Sequence, residues 1–283
     1  MMAGTQVALL TSLAMVAFAA NSLLCRLALA PGLIDAPSFA TLRVLAGTLT
    51  LGLIVIPRWR AEHKANTNFV AVAALLGYMI CFSYAYLSLA AGAGALILFG
   101  TAQLTMFIAA LRAGEPFSLP AWLGSSCALA GLVYLVSPGL TAPDPAGAVL
   151  MTAAGVGWGI YSLSGRYAPD ALIATATNFV WTLPGVVLVS LLTIANVNAA
   201  PLGVAYAIAS GAIATGFGYV VWFAAVKQLR ATTAATVQLS VPIIAAFAGT
   251  LLLDEAVTLR LLIASAATLG GIWLVLAQKG KTA

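Results

Sequence analysis

The sequence predicts an all-α integral membrane protein of ten transmembrane helices, and three observations carry that prediction. Hydrophobic residues make up 63% of the 283 residues and charged ones 7%, against roughly 45–50% and about 25% in soluble proteins. Mean hydropathy is +1.07. Residues 65–111, 116–143 and 171–226 contain no charge. With 12 Lys and Arg and 7 Asp and Glu, the chain cannot coat a soluble core of this size, so lipid is its main solvent. A span needs roughly 20 apolar residues, which leaves no room for a large soluble catalytic domain.

Charges and turn residues set the elements in order. The first span, 4–29, contains Ala17-Phe18-Ala19, a signal-peptidase-like trio. No Lys or Arg precedes Arg26, so the basic start of a signal peptide is missing and the segment reads as a retained helix. The second span, 37–57, ends at Arg58 and Arg60. The first and third of the uncharged runs are too long for one helix each and must fold back. Ala91-Gly92-Ala93-Gly94 divides the third span, 69–90, from the fourth, 94–112. The fifth is 118–137 and the sixth 146–166. The segment from Asn196 to Pro201 divides the seventh, 171–194, from the eighth, 203–226. The ninth, 231–251, and the tenth, 258–277, complete the set.

An even number of spans puts both termini on one side. That side carries Arg58, Arg60, Lys64, Arg112, Arg166, Lys227, Arg230, Lys279 and Lys281, which the positive-inside rule makes cytoplasmic. The basic balance is thus explained by topology, and nucleic acid is not an expected partner.

The two halves, 1–142 and 143–283, share a pattern. The fourth span leaves through AALRAGEPFSLPAW and the ninth through GTLLLDEAVTLRLL. In each a glutamate (Glu115 or Glu255) precedes by three residues a Ser or Thr that opens the next helix. Five spans per half is an odd number, so the copies lie upside down relative to each other. Inverted repeats of this kind build alternating-access carriers, with substrate bound near the midplane.

These exits, LRAGEPFS and LLLDEAVT, and the PSFATLR opening of the second span resemble the drug/metabolite transporter superfamily, and within it the EamA-type branch. The resemblance spans essentially the whole chain. It implies a ten-helix metabolite carrier of the bacterial inner membrane, often an amino-acid exporter, with the YddG-like aromatic amino-acid exporters as one branch. The ninth-span proline common in the family is present as Pro242, while GTAQLTM in the first half lacks a counterpart.

Polar and aromatic groups at mid-span are the site candidates, because lipid penalises them unless they face a cavity or a partner. Those expected to bind substrate are Asn21, Arg43, Tyr78, Phe82, Phe99, Gln103, Trp158, Asn178, Trp181, Phe217 and Gln238. Packing, interfacial belts and interhelical hydrogen bonds are the competing explanations for any one of them. Ser22, Tyr219 and Trp222 are further mid-span groups. Gly92, Gly94 and Pro242 are the expected hinges. Arg43 is suited to a substrate carboxylate; Arg26 reads as snorkelling or pairing with Asp35.

No Asp or Glu falls at mid-span, which argues against proton coupling and for facilitated or exchange transport. Cys25, Cys81 and Cys127 lie far apart, and His63 is alone; neither a disulfide framework nor a metal site is expected, and no cofactor. Missing acid/base pairs argue against an intramembrane enzyme, and missing charge rings against a channel. The expected partners are the bilayer and a small zwitterionic metabolite such as an amino acid, the protein acting as a monomer or weak homo-oligomer. A nucleoside, a sugar or a lipophilic compound is the alternative cargo.

Overall fold

The computed structural model describes residues 4–58, 67–114, 117–166, 168–229 and 231–279. Glu115, Arg60, His63, Lys64, Arg230 and Lys281 lie outside them. Ten apolar helical elements follow one another: α1 (Gly4–Leu29), α2 (Ala36–Val55), α3 (Phe69–Ala85), α4 (Ala91–Arg112), α5 (Leu119–Val136), α6 (Pro145–Arg166), α7 (Ala171–Leu192), α8 (Pro201–Val226), α9 (Ala231–Val237 and Ser240–Leu253) and α10 (Leu259–Lys279). Among the described residues nine are long and apolar enough to cross a membrane, and α3 is a shorter apolar helix.

Local chemistry starts these helices. Asp35 caps α2, its Oδ1 accepting from Ser38 N at 2.9 Å, while Asn68 and Asp170 cap α3 and α7 in the same way. Proline opens α2, α5 and α8, where its missing N–H is no loss. Leu49, Leu53, Leu123, Val180 and Leu192 are exposed, an arrangement that only a lipid solvent makes favourable.

Three elements differ from the sequence expectation. Helix α3 stops at Ala85, and Ala91-Gly92-Ala93-Gly94, expected as the turn, is the first turn of α4. Small residues fit there because neighbours press close. A Cβ on Gly92 would come 2.6 Å from Ala246 Cβ, and one on Gly94 2.5 Å from the Tyr86 ring. Both expected hinges are therefore contact points in regular helix.

Helix α8 widens into a π-helix over Ser210–Phe217, a winding often found at functional sites. Gly211 and Gly216 let it wedge against α2. A Cβ on Gly211 would run into the carbonyl oxygen of Arg43, and one on Gly216 would sit 2.9 Å from Thr50 Cβ. Helix α9 breaks between Val237 and Ser240. Pro242 has no N–H for the Gln238 carbonyl, and its ring crowds that group.

The helices interleave across the two halves of the chain. Helix α5 packs on α10, α4 on α9 and α2 on α7; α6 packs on α3 and α4, and α1 on α8 and α9. The loops after odd-numbered helices gather on one face and are stitched together. Ile34 and Ala199 form a single antiparallel bridge, with Asn198 N donating to Asp35 Oδ2 at 2.9 Å and Asn198 Nδ2 to Gly32 O at 2.6 Å. Ser88 donates to Asp144 at 3.0 Å, and Arg260 donates to the carbonyls of Leu135 and Ser137. Arg26 also belongs to this face, and its acid partner is Glu255 (3.0 Å), not Asp35.

The α2–α8 wedge is directly testable. Gly211→Val should destabilise the protein by about 1–3 kcal/mol through overpacking, lowering its melting temperature in detergent. Gly270, whose Cβ would meet nothing within 4 Å, is the control: Gly270→Ala should hold or raise it.

Candidate functional site

Halfway along the bundle the interleaved helices leave a cavity of about 20 Å³, room for about one water. Helix α1 contributes Phe18, Asn21 and Ser22, α3 Tyr78 and Phe82, α4 Leu98 and Phe99, α6 Trp158, and the π-helical stretch of α8 and its continuation Ala214, Thr215 and Tyr219. The rings form a continuous wall drawn from both halves of the chain. Trp158 stacks on Tyr219 at 5.9 Å and 20° and meets Tyr78 at 5.2 Å. Tyr78 meets Phe82 at 5.3 Å, and Phe18 stands edge-on to Tyr219 at 6.0 Å.

One chain of polar groups runs through this wall. Ser210 donates to Asn21 Oδ1 at 2.6 Å, and Asn21 Nδ2 donates weakly to the Tyr78 hydroxyl at 3.5 Å. Arg43 Nη2 donates to the same hydroxyl at 2.8 Å. The Arg43 guanidinium stands behind Tyr78 and Phe82, 4.6 Å from the Phe82 ring centroid and 5.3 Å from that of Tyr78. Ring faces carry negative charge density and partly offset the desolvation of the cation. The side chain is 0% exposed, and its Nε and Nη1 have no hydrogen-bond partner. Thr215 Oγ1, on the cavity wall, is also buried and unpartnered. A buried cation normally acquires a carboxylate, because isolation costs several kcal/mol. Here the described acids lie elsewhere: Asp35 and Asp170 act as caps, Asp144 is held at Gly147 N and Ser88, Glu255 pairs with Arg26, and Asp254 is exposed at the end of α9.

The structure thus gathers Asn21, Tyr78, Phe82, Phe99 and Trp158 at one cavity with Arg43 directly behind. It places the other expected binders elsewhere. Asn178 is buried on α7 away from the cavity lining. Gln103 lines a second small cavity between α4, α5 and α10, and Gln238 donates to Ala234 O of its own helix at 3.2 Å. Trp181 is 50% exposed against Phe69, and Phe217 is 55% exposed, so both rings face outward to lipid. Phe18, Leu98, Ala214 and Thr215 join the wall without having been singled out in the sequence. Tyr219, two residues from Phe217, is the ring that turns inward; residues two apart on a helix do not share a face, and mid-span position alone could not choose between them.

On the odd-loop face one cluster joins several helix ends. Arg26 Nε pairs with Glu255 Oε1, and its Nη1 donates to the carbonyls of Tyr86 and Leu87, each at 3.2 Å. Glu255 Oε2 accepts from Ala91 N at 2.7 Å, supplying the N-terminal cap that Ala90 cannot. The cluster ties α1, α3 and α4 to the end of α9. The three cysteines are free, and no group of three or more potential metal ligands occurs among the described residues.

Comparison with known proteins places this architecture. The profile of the EamA-like transporter family matches residues 145–277. The chain is 46% identical over 271 residues to the uncharacterised Pseudomonas aeruginosa protein PA1977, covering 96% of this chain and 94% of that one. It is 22% identical over 258 residues to YoaV of Bacillus subtilis, an uncharacterised transporter, covering 86% and 88%. A solved crystal structure superimposes with a TM-score of 0.67 at 17% identity, over 96% of this chain and 98% of the other, a likeness of fold. On this sequence and architecture, the chain belongs to the EamA-like transporter family.

Proposed function

We propose that the protein is a secondary carrier that exports small carboxylate-bearing metabolites, a class that includes the amino acids, across the bacterial inner membrane by alternating access. The observation that carries this reading is Arg43, a guanidinium enclosed behind the aromatic cavity wall with two unsatisfied nitrogens and no acid beside it. A charge so costly to bury is retained where function uses it, and a carboxylate is the ligand a guanidinium fits best.

The two halves, 1–142 and 143–283, act as inverted five-helix repeats in this reading. The packing supports it: exchanging the halves turns the α3–α6 contact into α8–α1 and α4–α6 into α9–α1, while α5–α10, α4–α9 and α2–α7 map onto themselves. Both termini face the cytoplasm, as the distribution of Lys and Arg supports, so the stitched odd-loop face is the external one. The Arg26–Glu255 cluster is then the external gate, and the broken α9, at Pro242, is the element that yields when it opens. Acids committed to helix ends leave none to carry a proton through the cavity, and transport runs down the cargo's own gradient or by exchange.

Three measurements test these assignments. Arg43→Met should abolish carboxylate transport in proteoliposomes yet raise the melting temperature, because replacing a poorly compensated buried charge by an apolar side chain is neutral to stabilising by about 1–4 kcal/mol. A destabilised Arg43→Met would count against the site. Trp158→Ala should lower transport of bulky amino acids with folded protein retained, and an imposed pH difference should drive no accumulation. Cys25 is fully buried one residue from the gate. With Cys81 and Cys127 changed to serine, Arg26→Gln should raise the rate of Cys25 labelling by an impermeant maleimide roughly tenfold from the external side, as loss of a charged hydrogen-bond cluster raises local opening.

A further inference from the structure

A cation stands directly behind the cavity wall and no anion lines it, and that asymmetry narrows the cargo beyond the reading above, on which this inference rests. A free amino acid brings a carboxylate and an ammonium. The carboxylate finds Arg43, but the ammonium needs an acceptor of comparable strength. The described acids all stand at helix ends, where Asp35, Asp144, Asp170 and Glu255 are engaged and Asp254 is exposed at the end of α9. Asn21 Oδ1, the acceptor on the wall, already takes the proton of Ser210 at 2.6 Å. An ammonium in this cavity would meet ring faces and neutral hydroxyls such as Ser22 and Thr215, with no carboxylate to balance it beside an existing guanidinium charge.

Tyr78 shows how the cation reaches the cavity. A guanidinium and a carboxamide nitrogen only donate, so the Tyr78 oxygen accepts from both Arg43 and Asn21. Its two lone pairs are occupied and its own proton is the group left to offer. Tyr78 lines the cavity whereas Arg43 stands behind it. The hydroxyl is thus a donor polarised by a full positive charge and aimed where cargo would sit. Thr215 Oγ1 is a second, unpartnered hydroxyl on the same wall. Around these two donors the lining is mostly aromatic, with Phe18, Phe82, Phe99, Trp158 and Tyr219 beside Asn21 and Ser22, and the rings suit a flat apolar body.

We propose that the preferred cargo is a small apolar monocarboxylate without an ammonium group, and that the Tyr78 hydroxyl, backed by Arg43, is the donor that holds its carboxylate. The complex then carries no net charge in the membrane interior, the state a low-dielectric site favours.

Three probes sharing one phenyl body test this with the purified full chain in detergent: 3-phenylpropanoate, phenylalanine and phenethylamine, with affinities measured by isothermal titration. 3-Phenylpropanoate should bind at least roughly tenfold more tightly than phenylalanine, with phenethylamine weakest. Tyr78→Phe should lose roughly tenfold or more in affinity for 3-phenylpropanoate, the worth of a hydrogen bond to a charged group. Thermal melting of that variant checks that it remains folded. Phenylalanine binding as tightly as the simple acid would overturn the inference while leaving an amino-acid carrier standing. Full affinity in a folded Tyr78→Phe would remove Tyr78 as the donor. Binding led by phenethylamine, or by none of the three, would overturn this inference and the carboxylate anchor of the proposed function together.

Discussion

The Arg43 guanidinium lies wholly out of water, held by one phenol hydroxyl and the faces of two rings, with Nε and Nη1 unsatisfied. Much of the centre of the molecule follows from having to accommodate it. Tyr78 and Phe82 are four apart on α3 and so share the face turned to Arg43. The backbone of α8 presses on the Arg43 carbonyl through Gly211, where no side chain fits. The π-helical winding of α8 sets Ser210 against Asn21 and puts Thr215 on the cavity wall. Cation, phenol, carboxamide and serine form one line through α2, α3, α1 and α8, so a change at any of them is felt at the cavity.

The site and the odd-loop face divide the charges between them. Acids and bases at helix ends neutralise one another or cap helices, as Glu255 does for both Arg26 and Ala91 N. The centre keeps a cation without an acid partner. A bundle in lipid gains little from hydrophobic association between its helices and relies on close packing and satisfied polar groups. The unsatisfied one stands out against that background. The same scarcity of charge that excludes a soluble fold makes Arg43, the buried cation among the described residues, conspicuous.

How much of this could be read from the sequence depended on the kind of signal. Helix α1 and helices α5–α7 and α10 begin and end within a few residues of where charge and apolar run length put them, because hydrocarbon thickness and backbone hydrogen bonding fix span length. The α3–α4 turn was less legible. Glycine and alanine are turn formers in water, but between Ala246 and Tyr86 they are the residues small enough for a helix start. Tyr78, Phe82 and Trp158 could be identified as mid-span rings, yet Trp181 and Phe217 satisfied the same criterion and face lipid. Apolar surroundings on every side erase the amphipathic stripe that tells inside from outside in a water-soluble helix.

Composition and charge placement alone therefore determined an all-helical membrane protein, the sites of most of its helix ends, and the absence of acid from mid-span. The tertiary structure decided which mid-span groups meet. It paired Arg26 with Glu255 across most of the chain, turned Tyr219 rather than Phe217 inward on a π-helical segment, and left Arg43 with a tyrosine in place of an acid. These are long-range choices made by helix rotation and close backbone approach, which depend on the shapes of neighbours distant in sequence. Transfer from water to lipid acts on each segment by itself; packing acts only on the assembled bundle.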